Sequence, residues 1–133
     1  IGSQIFVEGS NKNQIRNLVL SWLQNEFEQK MNEIFSVCLN HFNLIMKTEF
    51  YPQFKIRKMH RRWGSCSSDG RIHLSHTLLL ADPNCISYVV YHELSHLIHY
   101  DHSAQFYRVL SAVCPRHKEL KNKLNSEIIL FEK

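Results

Sequence analysis

The feature that most constrains this chain is 92-HELSH-96, set inside the apolar segment 84-NCISYVVYHELSHLIHY-100. Ile86, Val89, Val90, Leu94, Leu97 and Ile98 nearly surround that segment, which predicts a buried helix. Asp82-Pro83 supplies its start: a capping side chain, then proline at the first helical position. His92 and His96 are four residues apart, so they share one helical face about 6 Å apart along the axis. Two imidazoles at that spacing can meet one zinc ion at about 2.0–2.1 Å. Glu93 lies beside them, and a carboxylate buried in an apolar helix is costly without a compensating charge. A metal supplies that charge and gives Glu93 a use, as general base toward a metal-activated water. The bland alternative is two hydrogen-bonded helix histidines, which leaves the setting of Glu93 unexplained.

The third ligand is a geometric question. His99 is seven residues from His92, about 10.5 Å along a regular helix, so one ion cannot reach both. It suits an exposed or supporting place in the last turn, near the helix dipole. His102 would be about 15 Å away on a continuous helix. It serves only if the helix stops near Tyr100-Asp101 and the chain turns back, with Ser103 capping a new helix. Three histidines then leave the fourth zinc position open for water. His102 is the first candidate, Asp101 the second, and an acidic residue of the following helix, such as Glu119, a third.

Elsewhere, apolar residues recur with helical period from about Asn13 to Phe42, which predicts a long amphipathic helix with Trp22, Phe27, Phe35 and Phe42 in the core. Tyr51-Pro52 ends that pattern. The segments 54-FKIRKMH-60 and 72-IHLSHTLL-79 alternate like strands, with an Asp-Gly turn at 69–70 between them. They predict a small antiparallel sheet or irregular hairpin over 54–79, bent near Gly64. Two further helices are expected, 104-AQFYRVLSAVC-114 and 116-RHKELKNKLNSEIILF-131. The expected fold class is therefore α+β: long N-terminal helix, small sheet, buried site helix, C-terminal helices.

With 133 residues, 44% hydrophobic and 21% charged, a single compact domain is expected over 1–133. No apolar run approaches the roughly 20 residues of a membrane span. The start IGSQIFVEGSNKN has no basic-then-apolar leader. Cys38, Cys66, Cys85 and Cys114 are scattered, which suits a reduced, cytoplasmic protein better than a disulfide scaffold. The net charge of +4 is uneven: Lys55, Arg57, Lys58, Arg61 and Arg62 fall within eight residues. That run reads either as a solvated strand face or as a patch for phosphate or nucleic acid.

Three segments, 62-RWGSCSSDGRIHL-74, 88-YVVYHELSHL-97 and 102-HSAQF-106, together resemble the YgjP-like and SprT-like zinc-dependent hydrolases, a branch of the zincin metallopeptidases. The likeness runs from about residue 54 to Leu124. It implies a zincin-like domain with one zinc ion on His92, His96 and His102, and Glu93 as general base. It also places Arg62, Trp63, Gly64, Ser65 and Cys66 just before the strand at the active-site edge. Where the family usually has I-x-L-N, this chain has Ile72, His73, Leu74 and Ser75. The first part of the usual family domain has no counterpart, which implies a longer natural protein.

The function expected is a zinc metallopeptidase, with substrate peptide adding to an edge strand near Ile72–Leu79. Arg62, Trp63, His73, His76 and Tyr107 are the candidate substrate contacts or oxyanion stabilisers. SprT-like relatives act on proteins near DNA, so the Lys55–Arg62 run could meet nucleic acid. The alternative is a nucleotide pyrophosphohydrolase acting on a UTP-type triphosphate, an activity attributed to YgjP-like members. Arg57, Arg61, Arg62 and Arg71 would then hold the phosphates. A non-enzymatic zinc-stabilised module is the third reading; Glu93 argues against it, since a structural site needs no base. Cys66 is read as structural, because no partner histidine stands at a set spacing.

Overall fold

The structure, a computed structural model, describes residues 12–127. It contains α1 (Lys12–Met46), β1 (Phe54–Arg57), β2 (Gly64–Cys66), β3 (Ile72–Ser75), a 3₁₀ turn (His76–Leu80), α2 (Pro83–Ser95), α3 (Ala104–Val113) and α4 (His117–Glu127). Residues 128–131 of the expected last helix lie outside the described residues. This is the α+β class that the alternating and helical periodicities predict.

The chain divides into two compact units, at Glu33–Ile34 within α1. In the first, Phe27 and Met31 are buried, but Leu18, Leu20, Trp22 and Leu23 are exposed. Trp22 is thus not a core residue. A period of 3.6 makes an apolar stripe, and only a neighbouring layer buries it.

In the second unit, Phe35, Cys38 and Phe42 of α1 are buried. The Phe35 ring lies 4.7 Å from Phe54 of β1, and His41 lies 5.8 Å from Tyr91 of α2. The core centres on α2, which touches β2, β3, α3 and α4. Ile86, Val90 and Leu94 are fully buried there, as are Leu74 of β3 and Phe106 of α3. Full burial of each such side chain stabilises by about 1.5–3 kcal/mol. Asp82 caps α2 as expected: its Oδ1 accepts from the Asn84 amide at 2.7 Å, with Pro83 next.

The sheet differs from the expected hairpin. Its order is β1-β3-β2, with β2 antiparallel and β1 parallel to β3. The Asp-Gly turn joins β2 to β3, and β1 lies on the far side of β3. Alternation in 54–57 reports one wet face, which is the same for a parallel or an antiparallel neighbour. Ile72–Ser75 is consequently the central strand, paired on both sides, and cannot accept an added strand. The free edge at the cleft is β2. Gly64 starts this strand rather than bending it.

Candidate active site

α2 ends earlier than its apolar run. Ser95 Oγ donates back to the Tyr91 carbonyl at 2.8 Å, a bond that competes with regular winding. The amides of His96, Leu97 and Ile98 then bond three residues back, to Glu93, Leu94 and Ser95, in a tightened last turn. The expected stop at Tyr100 is therefore reached five residues sooner. His96 sits at the cap, and a short loop returns His102 to it. Ser103 caps α3, its Oγ accepting from the Phe106 amide at 3.3 Å.

As a result one nitrogen each from His92, His96 and His102 lies within 4.8 Å of the others. Phe106 lies beneath all three. It is fully buried, its ring stacked on His96 at 4.5 Å and edge-on to His92 and His102 at 5.0 Å each. His96 Nδ1 is 3.2 Å from the His99 carbonyl. A carbonyl only accepts, so Nδ1 is the donor here and Nε2 is the nitrogen left to face a metal. His99 thus serves through its backbone. Burial, with His92 and His96 nearby, holds the His102 pKa below the usual histidine range. All of this suits neutral imidazole donors for a metal.

Glu93 is 5% exposed, and its Oε2 lies 3.3 Å from His92 Nδ1. Gly64 makes its place: a Cβ there would meet Glu93 Cγ, Glu93 Oε2 and the His73 carbonyl oxygen, each at 3.1 Å. Of the other ligand candidates, Asp101 is exposed on the loop, and exposed Glu119 pairs with Arg116 at 2.6 Å. Neither joins the histidine cluster.

The trio opens into a cleft of about 460 Å³, lined also by Arg62, Gly64, Ser65, Cys66, Glu93 and Tyr100. The main chain of β2 faces it in a defined way. Ser75 N donates to Trp63 O, and Ser67 N to Arg71 O, each at 2.9 Å. These are hydrogen-bonded pairs of the ladder, so Gly64 and Cys66, opposite Leu74 and Ile72, are non-bonded ones. Their N–H and C=O groups point away from β3, along the free edge.

Arg62 lines the cleft, whereas Tyr107 does not: its ring lies 6.4 Å from that of His102, outside the lining. Trp63 is set behind Glu93, in a small cavity of about 120 Å³, its Nε1 donating to Asn125 Oδ1 at 3.2 Å. His73 and His76 are not brought to the cleft. His73 stands opposite Lys55 and Ser65; burial and then Arg57, Lys55 and Arg71 lower its pKa. His76 Nδ1 accepts the Met59 amide at 3.3 Å. Ser75, where the family's Asn stands, is fully buried and donates to the Met59 carbonyl at 2.9 Å, so it holds a loop. Burial, then Glu93 and Asp69, push the Cys66 thiol up to about 11, which keeps it protonated and supports a structural role.

Some residues that matter were not found by sequence reasoning. Phe106 closes the 102-HSAQF-106 segment that carries the resemblance, but its place under the three imidazoles was not read from it. Buried Tyr88, its ring 6.0 Å from His92 and its pKa pushed by burial up to about 12, gave no signal beyond helical period. His117 is buried, stacked on Tyr107 at 6.2 Å and bonded to Ser111 Oγ at 3.1 Å.

Three converging imidazoles beside a buried glutamate, in an α+β frame, define the class: a metal-dependent hydrolase. The YgjP-like metallopeptidase domain model matches residues 2–127, and the chain belongs to that family. Among solved structures it is similar to the metallopeptidase zymogen of Pyrococcus abyssi abylysin (25% identity, TM-score 0.63, covering 71% of this chain and 94% of that one). It also shares its fold with the metallopeptidase zymogen of Methanocaldococcus jannaschii jannalysin (18% identity, TM-score 0.58, 71% and 97%). No curated protein matches the chain. Among the described residues no helix is long and apolar enough to cross a membrane.

Proposed function

We propose that this metallopeptidase-family chain is a zinc-dependent peptidase in which His92, His96 and His102 hold one ion and Glu93 is the general base. The observation that carries the reading is the convergence of three imidazole nitrogens within 4.8 Å beside a 5%-exposed carboxylate. Three nitrogen donors suit zinc and leave one position for water. When bound, zinc supplies Lewis acidity, lowering the pKa of water and polarising a carbonyl. Glu93 accepts the water's proton at its carboxylate and passes it to the leaving amine. The His92 contact and the close approach of Gly64 hold that carboxylate in place.

The polypeptide is aligned by main-chain pairing with Gly64 and Cys66 of β2, in place of the Ile72–Leu79 edge that the sequence suggested. Arg62 contacts the substrate from the cleft wall. Of the candidate donors to the developing oxyanion, Arg62 lines the cleft, whereas Tyr107 lies beside His102 outside that lining, so Arg62 is the better placed. The exposed Lys55, Arg57, Lys58 and Arg61 lead up to Arg62 and would attract a polyanionic partner such as nucleic acid.

Arg62 also favours the second reading, hydrolysis of a nucleoside triphosphate. Arg57, Arg61 and Arg71 do not line the cleft, so a triphosphate there would meet one arginine. That weighs toward the peptide. The test is turnover of denatured protein and of UTP by zinc-loaded wild type and Glu93→Gln. Protein cleavage that falls at least about 100-fold in Glu93→Gln at equal zinc content is expected. Turnover of UTP alone would replace this reading by the second, and unchanged turnover in Glu93→Gln would remove the mechanism.

A further inference from the structure

A second cavity, of about 380 Å³, shares His96 with the cleft. Phe50, Tyr51, Pro52 and Leu97 give it apolar walls, and the 67–70 turn closes its other side. We propose that it is the principal specificity subsite, receiving a bulky apolar or aromatic side chain of the polypeptide next to the scissile bond. The inference rests on the peptidase reading and adds the substrate class.

Position is the first argument. β2 runs from Gly64 to Cys66 and leads directly into Ser67 of the turn. A peptide paired with Gly64 and Cys66 is therefore carried from the histidines to the cavity mouth. Strand residues advance about 3.3 Å each and alternate sides, so a side chain within a residue or two of the reacting bond reaches the cavity.

Preorganisation is the second. Asn43 grips Phe50 from both sides: its Oδ1 accepts the Phe50 amide at 3.1 Å and its Nδ2 donates to the Phe50 carbonyl at 2.8 Å. The opposite wall is tied by Gly70 N to Ser67 O at 3.0 Å and Arg71 N to Ser67 Oγ at 3.0 Å. Gly70 has φ +87°, which favours glycine, and a Cβ there would lie 3.6 Å from Leu97 Cδ2. The cavity thus exists before substrate arrives, as binding pockets usually do.

Chemistry is the third. Among the described residues the one carboxylate at the wall, Asp69, is hydrogen-bonded by Ser67 and paired with Arg71 at 3.1 Å. Its charge is already answered, so it gives no reason to select a basic side chain. The side made by Phe50, Tyr51, Pro52 and Leu97, facing the polar 67–70 turn, does give a reason to select an apolar one, since burying apolar area there is the available gain.

The test uses zinc-loaded protein and peptide libraries varied one position at a time on both flanks of the cleaved bond. One flanking position is expected to prefer Phe, Tyr or Leu over Ala, Lys or Glu by about tenfold or more in kcat/KM. Tyr51→Ala and Leu97→Ala should shrink that ratio at that position alone. Tyr51 is 76% exposed, so its variant folds and stays readable even if Leu97→Ala does not. Ser68→Trp, which narrows the cavity from its exposed rim, should turn the preference toward Ala or Gly. A flat profile, or a preference unmoved by Tyr51→Ala and Ser68→Trp, overturns the subsite while the peptidase reading stands. Absence of cleavage of every peptide by the wild type overturns both.

Discussion

Gly64→Ala separates the placement of Glu93 from its mere presence. Gly64 does not occupy the left-handed region, so alanine is conformationally allowed and its effect is steric. The new Cβ would lie 3.1 Å from Glu93 Cγ and Oε2 and from the His73 carbonyl oxygen. The carbonyl belongs to the central strand and is held on both sides, so the Glu93 side chain must move by a few tenths of an ångström. A misplacement of about 1 Å costs about 10²-fold in rate, so this shift should cost roughly 4- to 10-fold. Crowding of this kind destabilises by about 1 kcal/mol, at the low end for overpacking. Three readouts are needed: kcat/KM on a fluorogenic peptide, thermal unfolding, and zinc content by elemental analysis. The expected result is a 4- to 10-fold loss of kcat/KM with full zinc and a small drop in Tm. Unchanged kcat/KM would refute the idea that Gly64 sets the carboxylate's position.

Two other outcomes follow from the supporting residues. Phe106→Leu keeps an apolar floor but removes the ring that meets all three imidazoles, so zinc affinity measured by competition with a chelator should fall about 10- to 100-fold. Burial, followed by Lys118, His92 and Lys121, lowers the pKa of His117. The unfolded chain then binds this proton more readily than the folded one, so His117 adds no penalty above about pH 6.5, the ordinary histidine value. Stability is lost as pH falls from there through the lowered folded value. Urea unfolding across pH 5–8 should show that loss, and His117→Gln should flatten it.

The site was more legible in the sequence than the sheet, for a physical reason. His92, Glu93 and His96 are related by helix geometry alone, and rise per residue is enough to separate His99 from them and demand a break before His102. Where the break falls was not legible. Ser95 and a tightened turn end α2 without the usual glycine or proline, and an apolar run through Ile98 gives no sign of it. The strand at Ile72–Ser75 was visible, but its partners were not. Alternation does not tell a parallel neighbour from an antiparallel one, and the three residues Gly64–Cys66 are too few to show a period. The edge that faces the cleft was therefore assigned to the wrong strand. Gly64 matters through its approach to Glu93 between elements distant in sequence, and Phe106 through the turn of the chain that lays its ring under the histidines. Trp22 shows the converse: its period was right, and its burial depended on a neighbour that periodicity cannot report.

The central claim is that the returning loop completes a metal site with His102. Zinc stoichiometry after reconstitution and desalting tests it most directly, on wild type, His102→Ala and Asp101→Ala. One zinc per chain in wild type and Asp101→Ala, with little retained in His102→Ala, is the predicted result. Full zinc in His102→Ala, or its loss in Asp101→Ala alone, would contradict the account.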